Sequence, residues 1–471
     1  MSSADVTGAL SKIDTAPFAP FSAATLNPHF AGDAKLSSAL SGVITTSNLG
    51  NRGFSFAVVD LTDDPVNTPN FGLMTPAYAG VNDTSYGTIA SMGKLLALYG
   101  SYQLRYDLGK YIEQQQATAP IADIDSLAQQ VREIYRQEWR AAENNQDIPL
   151  IEKIFTGIDP ATLDFQRGTE DDTALGSIND IDDGPNSLNP RHTRTSGKLR
   201  NRDNLAYELD PSIGDPAPGR LHFFEQLRLM ARWSNDISAA VVIESLGFPY
   251  LWQLSLGSRL FRRRWEAIDK NRRGGKGGMF LAWDYNGSHW DDKISGWGTS
   301  PRDTPVHFRK NATVHIDKGR IPDQGGTARS VATLLTSLAQ DKLVGDGLKS
   351  FDSNGHAEIR ELLRKDSNFD PVPSDAEPSP IGEAIYGAKP DWTFEQAQWK
   401  KGDDFPKNLA VSKIGQIPGH YSDAVLVRAA RPKGVQIAAV LVGINRAKAD
   451  TEPLRMFGAG VAALLDSRHP G

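Results

Sequence analysis

A hydroxyl and an amine three residues apart are the first chemistry this chain offers: Ser91-Met92-Gly93-Lys94. On a helix, positions i and i+3 share a face, so the two groups can share a proton. A serine hydroxyl is a weak nucleophile at neutral pH and needs an adjacent base. Lysine is such a base only where burial or a nearby cation lowers its pKa. The pattern Ser-x-x-Lys occurs once in the sequence. Alone it is also explained by a helix-capping serine followed by a surface lysine.

Two further groups could complete a site. Ser234-Asn235-Asp236 interrupts an otherwise apolar helical stretch. Such a polar tripeptide is either a helix break and cap or a second hydroxyl with an amide aimed into a cleft. Lys413-Ile414-Gly415 closes an expected strand near the C-terminus. The glycine there would permit close approach of backbone or ligand, and the lysine would attract a carboxylate.

The elements that must position these residues follow from periodicity. Phe54–Leu61 alternates and then runs apolar, as a buried strand does. Thr88–Leu108 reads as one helix, with Ile89, Met92, Leu95, Leu96, Tyr99 and Tyr102 on a stripe. Helices are also expected at Ala34–Leu40, Ser126–Asn144, Leu221–Leu246 (broken at 234–236), Thr327–Ala339 with a Thr cap, and Glu452–Leu465. Strands are expected over Ala410–Lys413, Ala424–Ala429 and Val435–Ile444. Residues 164–220 and 366–408 read as loop-rich. The fold class is therefore α/β of the α+β kind. An antiparallel sheet is built from both chain ends and flanked by helices, with a mostly helical middle. The expected organisation is an N-terminal segment (1–50), the first half of the sheet domain with the nucleophile helix (51–108), a helical subdomain with loop insertions (109–408) and the second half of the sheet domain (409–471).

Bulk properties narrow the function classes. The chain has 471 residues, 39% of them hydrophobic and 23% charged, with a net charge of -6. Those values suit a globular protein and give no sign of a nucleic-acid partner. Cysteine is absent, which excludes disulfides, thiolate zinc sites and a cysteine nucleophile. The nine histidines form no HExxH or helically spaced pair, so no metal or other cofactor is expected. No stretch approaches 18 apolar residues, so no membrane span is expected. The sequence starts with neither a basic nor an apolar leader region. The compartment would be periplasmic or secreted if a signal has been removed, and otherwise cytoplasmic.

In order and setting, the three groups resemble the SxxK, SDN and KTG marks of the serine β-lactamases and penicillin-binding DD-peptidases, with a pattern nearest to class A. Ile89–Leu98 looks like that superfamily's nucleophile helix. Ser234–Gly247 is similar to its SDN segment, and Thr327–Leu335 resembles the helix after its omega loop. The likeness covers about half the chain. It implies the superfamily's fold and an acyl-enzyme acting on a lactam, amide or ester. It implies Ser91 as nucleophile and Lys94 as base. Ser234 would be proton relay to the leaving nitrogen, and Lys413 would tune Ser234 and bind a substrate carboxylate. Asn235, Asp236, Gly415 and Gln416 would line the substrate, with the Ser91 and Gln416 N–H groups as oxyanion hole.

Three positions depart from the pattern. Asp236 stands in place of an amide, and its charge would raise the pKa of a nearby lysine. Ile414 replaces the KTG threonine. No glutamate occurs between Trp290 and Lys342, where the omega loop would supply the deacylating base; Asp291, Asp292, Asp303 and Asp323 are acids in that stretch. These departures favour the alternative reading, a non-catalytic or weakly acylating relative that acts by binding. A third reading, an unrelated α/β enzyme with coincidental matches, is opposed by the lack of a G-x-S-x-G elbow.

Overall fold

The computed structural model describes residues 30–50, 53–62, 76–116, 120–138, 149–159, 163–167, 222–234, 236–252, 254, 279–281, 285, 304–309, 312–316, 324–339, 379–388, 411–430, 436–448 and 450–470. In chain order, β1 (Ala31–Gly32), α1 (Ala34–Thr46), β2 (Phe54–Asp60), β3 (Ala77–Val81) and β4 (Gly87–Thr88) precede a 3-10 turn at Ala90–Gly93. There follow α2 (Lys94–Gln116), α3 (Ile124–Glu138), α4 (Ile151–Ile154), β5 (Phe155–Thr156), β6 (Asp164–Phe165), α5 (Phe223–Trp233), α6 (Asp236–Leu246) and α7 (Phe248–Trp252). The chain continues with β7 (Phe280–Leu281), β8 (Thr304–Arg309), β9 (Ala312–Ile316), β10 (Gln324–Gly326), α8 (Ala328–Ala339) and α9 (Pro380–Ala388). It closes with β11 (Val411–Ile417), β12 (His420–Ala430), β13 (Gln436–Asn445) and α10 (Glu452–Arg468). The fold is α+β. It divides into two compact units, one of Met1–Phe21, Leu96–Ser258 and Leu281–Lys318, the other of Ser22–Leu95, Arg259–Phe280 and Gly319–Gly471.

The second unit holds a six-stranded sheet in the order β1-β3-β2-β13-β12-β11. Both chain ends build it: β2 pairs antiparallel with β13, Phe56 opposite Gly443 and Val58 opposite Leu441. Alternation along the strands gives two unlike faces. Phe56, Val58, Val425, Val427, Ala439 and Leu441 point into an apolar cluster with Leu40 of α1, Ile381 of α9, and Phe457 and Val461 of α10. Phe56 stacks on Phe457 with ring centroids 4.5 Å apart. Two carboxylates buried with this layer are met by local donors. Asp60 accepts from Arg468 Nε at 2.7 Å and lies 2.8 Å from His469 Nε2. Asp423 accepts from Ser379 Oγ at 2.6 Å and from the Ile381 N–H at 2.9 Å, which caps α9.

The first unit, described by itself, is mainly helical. Its aromatic centre is Phe165, stacked on Phe155 at 5.4 Å and edge-on to Tyr102 at 5.1 Å. Arg105 lies 5.0 Å above the Phe165 ring and pairs with Asp164 at 3.3 Å. Asp107 is buried and accepts from Gln103 Nε2 at 2.7 Å; burial pushes its carboxyl well above the usual range.

Several expected elements change in the structure. The single helix expected at Thr88–Leu108 is strand β4, a 3-10 turn and then α2, which runs on to Gln116. Thr88 is held in a ladder opposite Gly325, and Ala90 has φ 47°, so no helix can run through Ala90; the chain is 3-10 up to Gly93 and α-helical from Lys94. The loop-rich stretch 366–408 contains helix α9. Its Ile381 and Ile385, four apart, bury in the apolar layer; Ser379 Oγ accepts from the Gly382 N–H at 3.2 Å, and Asp423, distant in sequence, accepts from the Ile381 N–H. The Thr327 cap forms as expected: the Ser330 N–H donates to Thr327 Oγ1 and the Thr327 N–H to Ser330 Oγ, each at 2.9 Å. Helix α5 ends and α6 begins on either side of the Ser234 break, and the C-terminal helix extends to Arg468.

Candidate active site

Ser91 lies on the 3-10 turn, not on an α-helix. The turn hangs between two strands. The Ile89 N–H donates to the Gln324 carbonyl of β10 at 2.9 Å. Ala90, immediately before the serine, has φ 47°, a left-handed conformation that costs a non-glycine residue about 1 kcal/mol or more. The Met92 N–H closes back on the Ile89 carbonyl at 3.1 Å. The Lys94 N–H then bonds the Ser91 carbonyl, closing the turn from Ser91 to Lys94. In 3-10 geometry residues three apart eclipse, so Ser91 and Lys94 sit one above the other on the same side. Ser91 is half-buried, whereas Lys94 is 1% exposed.

Strand β11 closes over this turn. Gly415 faces Ser422 across the ladder, with Lys413 opposite Ala424 on the same sheet face. A Cβ at position 415 would fall 2.6 Å from the Ile89 carbonyl oxygen, 2.6 Å from Ser422 Oγ and 3.0 Å from the Ser91 nitrogen. Only glycine admits this approach of backbone to backbone. Ser422 Oγ lies 3.0 Å from the Gly415 carbonyl and 3.4 Å from that of Ile89, which ties strand and turn together. Lys413 is 3% exposed, and its Nζ donates to the Ile414 carbonyl at 3.3 Å. Gln416 is exposed next to Gly415.

One compact unit therefore gathers Ser91, Lys94, Lys413, Gly415 and Gln416. Ser234 and Asp236 belong to the other unit, at the junction of α5 and α6. Ser234 has φ 57°, and Asp236 opens α6, where a carboxylate suits the helix N-terminus. Tyr285 of the same unit, itself at φ 74°, has its phenol pushed well up by burial and by the charge of Asp236. Asn235, Asp291, Asp292, Asp303 and Asp323 lie outside the described residues. Among the described residues no cluster of His, Asp and Glu could hold a metal. No helix among them is long and apolar enough to cross a membrane.

Sequence reasoning missed the polar groups behind the turn. Arg446, just past β13, donates to the Thr88 carbonyl, to Ser55 Oγ and to the Gly326 carbonyl. Burial lowers its pKa to about 10. His420 is 3% exposed, neither of its ring nitrogens has a hydrogen-bond partner among the described residues, and burial and then the Arg446 charge lower its pKa to about 4. The one available signal was alternation: His420 and Ser422 share a strand face with the positions opposite Lys413 and Gly415. A cavity of about 1350 Å³ lined by Lys35, Leu36, Val43, Leu464, Arg468 and His469 lies between α1 and α10, on the other face of the sheet.

No family model matches the chain, and no curated protein matches it. Solved structures that it resembles include class A β-lactamases and PBP-A. The β-lactamase from Streptomyces albus G is 11% identical, with 92% of this chain and 99% of that one covered and a TM-score of 0.38. The class A β-lactamase from Mycobacterium abscessus is 11% identical, with 92% and 99% covered and a TM-score of 0.36. A mutant of PBP-A, in its acyl-enzyme complex with penicillin G, is 11% identical, with 93% and 100% covered and a TM-score of 0.39.

Proposed function

We propose that this chain is a serine hydrolase that forms an acyl-enzyme on a lactam, amide or ester, of the β-lactamase or DD-peptidase kind. The observation that carries the reading is the close seating of Gly415 on the Ser91 turn, where a Cβ would fall 3.0 Å from the Ser91 nitrogen, which brings the strand of Gln416 beside the Ser91 amide. Ser91 Oγ attacks the substrate carbonyl carbon, and its proton passes to neutral Lys94 Nζ. The Ser91 and Gln416 N–H groups hold the oxyanion that forms. The tetrahedral intermediate collapses by breaking the bond to the leaving nitrogen or oxygen, which takes a proton through Ser234. Lys413 draws in a substrate carboxylate. Water then hydrolyses the acyl-serine. Asn235 and Asp236 line the substrate in this reading. The strained Ala90 supports it, because strain of that kind collects where a side chain must be aimed.

The test is labelling. The full chain is incubated with a fluorophosphonate or a labelled penicillin, and intact mass is followed beside Ser91→Ala. A one-to-one adduct in the parent chain and none in the variant is the expected result. Absence of any adduct, together with no turnover of a chromogenic cephalosporin, overturns the reading. The second reading is a weakly acylating or non-catalytic binding protein. It is favoured by Asp236, which carries a charge where the pattern has an amide, and by Ile414. It predicts reversible binding of the same compounds without a covalent adduct.

A further inference from the structure

We infer that Arg446 is the positioning residue of the nucleophile turn, a conclusion that rests on Ser91 being the nucleophile. Arg446 is half-buried, and its partners among the described residues are two backbone carbonyls and a hydroxyl, with no carboxylate. An arginine at the end of a strand would ordinarily reach solvent or an acid. This one turns inward and gives its N–H groups to three separate pieces of chain. Nε lies 3.4 Å from the Thr88 carbonyl of β4, Nη1 3.0 Å from Ser55 Oγ of β2 and Nη2 3.4 Å from the Gly326 carbonyl of β10. Those pieces converge on one object. Thr88 stands three residues before Ser91, and its Oγ1 is 3.4 Å from the Ala90 N–H. Strand β10 holds the Ile89 N–H. Ser55 belongs to the central sheet. The guanidinium therefore fastens the two short strands that carry the strained turn to the rigid sheet behind it.

The sequence makes room for this contact. A Cβ at Gly87 would fall 2.8 Å from Arg446 Nε and 3.2 Å from its Cδ. The neighbouring Gly325 is likewise closed over by Tyr86, whose hydroxyl would lie 2.1 Å from a Cβ there. A planar fork with donors in fixed directions suits three acceptors on different strands, whereas an ammonium on a flexible stem holds fewer of them. Because Ala90 is strained, the turn needs such outside restraint to keep the Ser91 hydroxyl in register with Lys94.

The experiment measures the acylation rate of Ser91 in the full chain by intact mass, over a range of fluorophosphonate or penicillin concentrations. Far-UV circular dichroism and the unfolding temperature are followed in parallel. Arg446→Ala slows the maximal rate about 30- to 100-fold, since displacements of about 1 Å at a reacting atom have that scale. The concentration giving half-maximal rate changes by less than about threefold, and added methylguanidinium restores part of the rate. Gly87→Ala, which pushes the guanidinium away but leaves it in the chain, gives a similar slowing. The double variant is no slower than either one alone. A purely structural arginine would instead lower the unfolding temperature and leave the rate per folded molecule unchanged; that result overturns the inference. If Arg446→Ala does not fold, Arg446→Lys and Gly87→Ala carry the test, and a parental rate in both overturns it. If the parent chain itself is never labelled, the nucleophile reading fails first and this inference falls with it.

Discussion

The two faces of the central sheet are made by the same strands and do opposite work. On one face Phe56, Val58, Val425, Leu441 and Phe457 form a dry layer, and its buried acids Asp60 and Asp423 are answered by Arg468 and the N-terminus of α9. On the other face Ser55, Lys413, His420 and Ser422 stand in the same strands, with Arg446 just past them. The apolar face holds the unit together. Away from the turn the second face is apolar too, with Val59, Val440 and Val442 buried; its polar end is dearer to maintain, because buried cations and an imidazole with no hydrogen-bond partner among the described residues oppose folding. Polar groups kept at such a cost mark the face where chemistry is expected.

The contrast can be broken from either side, and the largest effect belongs to the polar face. Ser91→Ala removes all acylation, a fall of about 10⁴-fold or more, with little change in unfolding temperature. On the apolar face the reverse is expected. Phe56→Ala empties the stack with Phe457 and costs about 4 kcal/mol of stability by denaturant titration, while the molecules still folded label at the parental rate.

A third effect comes from protonating His420. Its folded pKa of about 4 lies below the ordinary 6.5, so the unfolded chain binds the proton first. The stability tied to neutral His420 is full above about pH 6.5 and is lost as the pH falls toward 4, about 3 kcal/mol in total. Urea midpoints across that range should fall in the parent and fall less in His420→Phe. Equal slopes in the two would remove His420 from the account. The smallest of the four effects is at Gly415. Gly415→Ala sets a methyl 2.6 Å from the Ile89 carbonyl and should slow labelling about 100-fold by shifting the turn. A parental rate in that variant would show that β11 does not govern the turn.

Much of the frame was legible in the residues. Runs of apolar residues located β2, β12 and β13, which the sheet buries on both faces, and helical spacing located α1 and α10, which lay one side on the apolar layer, with the Thr327 cap marking α8. Ser91, Lys94 and Lys413 could be singled out by type and spacing, and Gly415 as a point of close approach. Helix α9 carried a local start signal, Ser379 before Pro380, whose Oγ accepts from the Gly382 N–H at 3.2 Å, but it was masked by the prolines and acids around it; the second acceptor at its N-terminus, Asp423, lies on a strand 42 residues away.

By itself, then, the sequence determined which residues carry reactive groups and which faces are apolar, since both depend on residue type and local period. Only the tertiary structure decided that Ser91 rides a strained 3-10 turn and not the helix its apolar stripe suggested. Periodicity counts burial and is blind to φ. Here the conformation of Ala90 is held by the ladder at Gly325, by the approach of Gly415 and by the three donors of Arg446, all of them contacts between segments far apart in the chain.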